Sequence, residues 1–128
     1  MFGEDSRWIS RHVPTTMLMS TVSPTEAEAA ISILVWLNHN ATAGTVLIVD
    51  EEFRGYAALH TDTDRILVYD VGGTWYNDPN QKERAIEVAA SFAEKGYTVY
   101  LLARPFPTQS FKSVQTVYLV VLYRFLSR

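Results

Sequence analysis

Residues 45–70, TVLIVDEEFRGYAALHTDTDRILVYD, decide how this chain is read. Thr45-Val46-Leu47-Ile48-Val49 is β-branched and nearly all apolar, the composition of a strand buried on both faces. It ends in an acidic knot, Asp50-Glu51-Glu52. Arg54 to His60 reads as a second short strand, and Thr61-Asp62-Thr63-Asp64 as a tight polar turn into a third, Arg65 to Asp70. Three strands so close in sequence predict an antiparallel meander.

Upstream, Ser23-Pro24-Thr25-Glu26 spells a helix start: a Ser cap, proline at the first helical position, and a glutamate placed to close a capping box. Ala27, Ala30, Ile31, Leu34 and Leu37 follow at helical spacing, and Asn38-His39-Asn40 ends the run. Before it lie a polar arm, residues 1–14, and a weak strand-like alternation from Thr15 to Val22.

Downstream, a loop from Gly72 to Asp78 leads into Asp78-Pro79-Asn80-Gln81, a second helix start. Ala85, Ile86, Ala89, Phe92 and Ala93 form its inner face, and Gly96 stops it. Tyr97 to Ala103 reads as a buried strand. Residues 108–128 read as a C-terminal hydrophobic helix, which length and the spacing of Val114, Val117, Tyr118, Val121 and Leu122 favour over a strand beginning at Ser110. The helix linking the third and fourth strands requires those two to be parallel, so the class is α/β with a mixed sheet, in one domain of 128 residues.

Composition narrows function. With 48% hydrophobic and 20% charged residues the chain has the profile of a folded globular domain rather than of disorder. Cysteine is absent, which removes disulfides, thiolate catalysis and Cys-based zinc or iron–sulfur sites. The N-terminus carries charges and no apolar run, and Val114 to Leu126 is shorter than the roughly 20 residues that span a bilayer, so a cytoplasmic protein without a membrane span is expected. A net charge of −3 supplies no global attraction to nucleic acid, leaving that to a local patch. Arg7 and Arg11 at one end, with Arg104, Lys112, Arg124 and Arg128 at the other, are the candidates for it. His12, His39 and His60 lack metal-ligand spacing, and no nucleophile motif or Walker A sequence is present.

The order helix, three-strand meander, helix, strand over residues 24–103 resembles the PD-(D/E)XK, or restriction-endonuclease-like, superfamily. The stretch from Ile66-Leu67-Val68-Tyr69-Asp70 through Gln81-Lys82 and Phe92-Ala93-Glu94-Lys95-Gly96 to Val99-Tyr100-Leu101-Leu102-Ala103 is similar to archaeal Holliday-junction resolvases and Mrr-like nucleases. The resemblance implies a Mg²⁺-dependent endonuclease acting on nucleic acid. In it Asp70 takes the place of the second acid, Gly72 stands where the lysine belongs, and Gly55-Tyr56 stands where an aspartate is expected. Asp50, Glu51 or Glu52 would then supply a missing acid, Glu26 or Glu28 a helical one, and Lys82 a displaced lysine. The implied catalytic set is Asp70, Glu51 and Lys82, with Asp70, Glu51 and Glu26 as metal ligands.

Trp75 and Tyr76 on the glycine-bearing loop are candidates to stack on bases or to anchor a partner. Two readings from other classes stand beside the nuclease-like one. The first is a non-catalytic scaffold, because the apolar excess in Val117, Tyr118, Val120, Val121, Leu122 and Phe125 suggests a homo-oligomer formed through the C-terminal helix. The second is a small-molecule or nucleotide-binding domain using the Gly72–Asp78 loop as an anion site.

Overall fold

A computed structural model describes residues 22–72 and 79–127. The elements run α1 (Pro24–Asn40), β1 (Thr45–Val49), α2 (Arg54–His60), β2 (Ile66–Asp70), α3 (Pro79–Glu94), β3 (Thr98–Ala103), β4 (Phe111–Val117) and β5 (Val120–Phe125). They build one five-stranded mixed sheet in the order β2-β1-β3-β5-β4, so the chain is α/β. The polar arm, the Thr15–Val22 alternation up to its last residue and the cap at Asp78 lie outside the described residues.

α1 begins as its sequence dictates. Ser23 Oγ accepts from the Glu26 N–H at 3.1 Å, and Glu26 Oε1 accepts from the Ser23 N–H at 3.1 Å, a closed capping box. Its buried stripe is Ala29, Ala30, Ile33, Leu34 and Leu37. α3 stops at Glu94, and Gly96, at φ +94°, turns the chain into β3.

The meander is not formed. Arg54–His60 is a helix, and β1 pairs with β2 in parallel, Val49 lying opposite Asp70. β1 also pairs in parallel with β3, Thr45 opposite Thr98. Two parallel pairs cannot be joined by tight turns, so the segment between β1 and β2 must cross over the sheet. α2 does this. Asp50 Oδ1 accepts from the backbone N–H groups of Glu52 at 3.0 Å and Phe53 at 3.3 Å, bending the chain out of β1 into the turn that precedes α2. Phe53 and Ala57 are then fully buried among α1 residues.

The C-terminal helix is not formed either. Residues 111–125 make an antiparallel hairpin closed by Tyr118-Leu119, with Val117 opposite Val120. β5 lies between β3 and β4, so Val120, Val121, Leu122 and Tyr123 are buried on alternate faces of the sheet. Of the apolar excess that suggested an oligomer surface, Val120, Val121 and Leu122 are thus buried in an interior strand, Val117 and Phe125 are half-buried, and Tyr118 is exposed at the hairpin turn. Among the described residues no helix is long and apolar enough to cross a membrane.

The core is divided by the sheet. Leu47, Val49, Ile66, Leu102 and Leu122 pack under α1 and α2, while Val46, Ile48, Val99, Leu101 and Val121 pack under α3. The end of α1 is tied to the β2 side by one arginine. Arg65 donates from Nε to Asp62 at 2.8 Å, from Nη2 to the Asn38 carbonyl at 2.6 Å and from Nη1 to the Ala41 carbonyl. Asn38 completes the tie by donating to the His60 carbonyl and accepting from the Asp62 N–H.

Tyr118 sits at φ +52°, in the left-handed region where glycine and asparagine are at home. Tyr118→Gly is therefore expected to stabilise the protein by up to about 1 kcal/mol in urea melts. In a helix the same change would cost about 1 kcal/mol, so a loss of that size would contradict the hairpin.

Candidate functional site

β1, β2 and β3 point the same way, and their carboxyl ends open on one edge of the sheet. The chain leaves β1 toward the face covered by α1 and α2, and leaves β2 toward the face covered by α3. Neighbouring strands whose exits diverge leave a crevice between them, the position at which open α/β sheets bind ligands. Here it lies between Asp50-Glu51-Glu52 and Asp70-Val71-Gly72.

Each side of that crevice is built differently. On the β2 side, Asp70 Oδ1 accepts from the Gly72 N–H at 2.8 Å, and Oδ2 pairs with Arg54 Nη1 at 3.1 Å. Gly72, at φ +78°, allows the chain to double back in that turn. The Asp70 carboxylate stays partly exposed, and its arginine is largely in solvent.

On the β1 side, Arg104, the first residue after β3, donates from Nε to Glu26 Oε2 at 3.0 Å and from Nη1 to Glu52 Oε1. One guanidinium thus joins the N-terminus of α1, the turn after β1 and the end of β3. Arg104 also lies over the Phe53 ring, 5.6 Å from its centroid.

Burial acts to raise the Glu26 carboxyl, but hydrogen bonds from Arg104 and the Ser23 backbone, with the arginine's charge, outweigh it and hold the group below its usual value. Arg104 is likewise pulled down by burial and lifted above its usual value by Glu52 and Glu26. Asp50 moves the other way. It is 3% exposed, and burial, followed by the nearby Glu52 charge, pushes it up to about 6 against the opposing pull of two backbone N–H groups and Arg104.

The candidate residues therefore separate. Asp70 and the β1 acids become neighbours through strand register, and Glu26 joins the β1 side through Arg104. Lys82 does not pair with Asp70, whose partner is Arg54. It lies in the first turn of α3, with Nζ 5.7 Å from the Phe106 ring centroid. Trp75, Tyr76, Arg7, Arg11 and Arg128 lie outside the described residues. Lys112 and Arg124 are cross-strand neighbours, whereas Arg104 is engaged with carboxylates, so these three make no joint basic face.

Arg54 and Arg104 are the residues that site reasoning from sequence leaves out of the crevice. Arg54 is masked by the strand reading of its segment, and Arg104 reads as a member of a dispersed basic set. Among the described residues, five carboxylates, Glu26, Asp50, Glu51, Glu52 and Asp70, and two guanidinium groups, Arg54 and Arg104, stand on the elements that meet at this edge, Asp70 paired with Arg54 and Glu26 and Glu52 with Arg104. Among the described residues no three acidic or histidine side chains converge as a ready-made metal cage.

No protein-family model, curated protein or solved structure matches this chain.

The charge pattern has a pH signature. Asp50 carries a folded value above its unfolded one of 3.8, so its contribution to stability is full below pH ~4 and is lost as pH rises through ~6. Glu26 is lowered from 4.5, so its contribution is present above that pH and is lost as pH falls through the folded value. Asp50→Asn keeps the oxygen that accepts from Glu52 and Phe53. It is expected to raise stability at neutral pH by about 1–3 kcal/mol, the gain vanishing toward pH ~4. A gain that does not vary with pH in urea melts would contradict this account of Asp50.

Proposed function

We propose that this α/β domain acts on phosphodiesters of nucleic acid at the crevice between β1 and β2, with a divalent cation held by Asp70 and Glu51. The observation that carries the reading is the Val49–Asp70 register, which sets the acidic turn after β1 beside the acid ending β2. Among the described residues carboxylates outnumber guanidinium groups at this edge, which favours a cation in that position.

The donor set fits the ion. Mg²⁺ takes hard oxygen ligands, keeps several waters, and is commonly held by one or two carboxylates plus substrate phosphate oxygens, so a closed protein cage is not required. Bound there, it would neutralise phosphate charge and supply an activated water. Asp70 is preset for the role by the Gly72 N–H, which fixes its carboxylate at the crevice. Arg54 now balances Asp70 from solvent, and its exposed guanidinium can shift to a phosphate oxygen once the acid is engaged. Arg104 holds Glu26 and Glu52 as the wall of the β1 side rather than as free ligands.

The Arg54–Asp70 pair also supports a second reading, in which the crevice binds phosphate-bearing ligands without cutting them, because Asp70 is already partnered. One experiment separates the two. Incubation of single- and double-stranded DNA and RNA with Mg²⁺ or Mn²⁺ is expected to give cleavage that Asp70→Asn reduces on the order of a hundredfold or more. Cleavage unaffected by Asp70→Asn would overturn the site. Cleavage absent from the wild-type protein, with metal-dependent binding retained, would select the second reading.

A further inference from the structure

The hairpin between β4 and β5 turns at the same edge of the sheet as the acidic crevice. Val121 lies opposite Ala103, the last residue of β3, and Val117 lies opposite Val120. Tyr118-Leu119 therefore closes the hairpin just beyond the carboxyl end of β3. The crevice lies between β2 and β1 and the hairpin between β5 and β4, so three strand spacings, about 14 Å, separate them.

Tyr118 is an unfavourable residue for that turn. At φ +52° the backbone suits glycine or asparagine, and hairpin turns normally place one of them there. Strain kept at such a residue points to a use for its side chain. Packing within the fold is not that use. Tyr118 is 58% exposed and Leu119 beside it 49%, and among the described residues the Tyr118 side chain makes no hydrogen bond, ring contact or cation contact. From Ser113 to Tyr123 the hairpin carries no charge, so its tip neither attracts nor repels a phosphate. It presents an open aromatic ring with an apolar neighbour, carried on two paired strands.

We infer that Tyr118 is a stacking platform for an unpaired base of a nucleic-acid strand whose backbone is held at the crevice. The inference rests on the reading of that crevice as a phosphodiester site, and it adds a contact a few nucleotides along the same strand. Stacking of a base on an aromatic ring is tolerant of sequence and needs one free ring face. In a duplex the bases are already stacked on one another, so the contact favours single strands. A ring on a short, paired hairpin also loses little freedom when the base docks.

Fluorescence anisotropy with a labelled oligothymidine strand, with Ca²⁺ supplying a hard cation, tests the inference beside urea melts. Tyr118→Gly is expected to weaken strand binding about tenfold although glycine suits the turn and the variant is the more stable protein. Tyr118→Asn is expected to lose as much, and Tyr118→Phe, which keeps the ring, to bind like the wild type. No charge is removed, so the salt dependence of binding is expected to stay the same. Wild-type affinity in Tyr118→Gly, or an equal loss in Tyr118→Phe, would overturn the inference. So would sedimentation showing a dimer that Tyr118→Gly dissociates, because the tip would then be a subunit contact. Asp70→Asn separates the platform from the crevice. Binding lost in Asp70→Asn but kept in Tyr118→Gly overturns the platform alone. Binding weakened in Tyr118→Gly but kept in Asp70→Asn supports the platform and counts against a metal held by Asp70. A wild-type protein that binds no strand overturns both.

Discussion

β1 has no free face and no free edge. All five of its residues are buried, helices cover both faces, and parallel strands flank it on both sides. A strand in this position cannot be entered or left by a hairpin, so both of its parallel neighbours must be reached by crossovers. One crossover, α2, lies on one face and the other, α3, on the opposite face. The crevice between the carboxyl ends of β1 and β2 follows from that constraint, as does the placing of the acidic turn after β1 beside the strand that ends in Asp70.

The edge so created is charged, and Arg104 fixes its geometry. Its bonds to Glu26 and Glu52 connect three elements that the sheet alone would leave splayed: the start of α1, the turn after β1 and the end of β3. Removing one member of such a half-buried set leaves a charge with less compensation, which is why these ties constrain geometry more than they add stability. Arg65 does the equivalent work at the far end of α1, where it meets the helix's terminal carbonyls, the negative end of its dipole. With both ends of α1 anchored, the acids at the carboxyl edge stand on rigid elements.

The parts of this fold that local chemistry specifies are legible in the sequence. The capping box at Ser23, the Gly96 stop, the buried strands at 45–49 and 98–103 and the α/β class all depend on residues close together in the chain. Two elements are not legible by the same rules. α2 is seven residues long, too short to show a helical period, and its partner surface is α1, far away in sequence. The signal available was the nearly all-apolar β1 itself, since burial on both faces belongs to parallel sheets and disfavours a meander. The β4–β5 hairpin is hidden because its turn is Tyr118-Leu119, without the glycine or asparagine that normally marks such a turn, and Tyr118 takes the left-handed conformation itself. Within the site, Asp70 is legible as a strand-end acid. Its partner Arg54 is not, because the pair exists only once α2 is a helix.

A cation at the crevice is the point on which the functional reading depends, and paramagnetic broadening by Mn²⁺ addresses it directly. In amide NMR spectra of the full chain, added Mn²⁺ is expected to broaden Glu51, Glu52, Asp70, Val71 and Gly72 together, and Asp70→Asn to remove the effect. Broadening confined to other surfaces, or its persistence in Asp70→Asn, would contradict a metal site formed where β1 and β2 end.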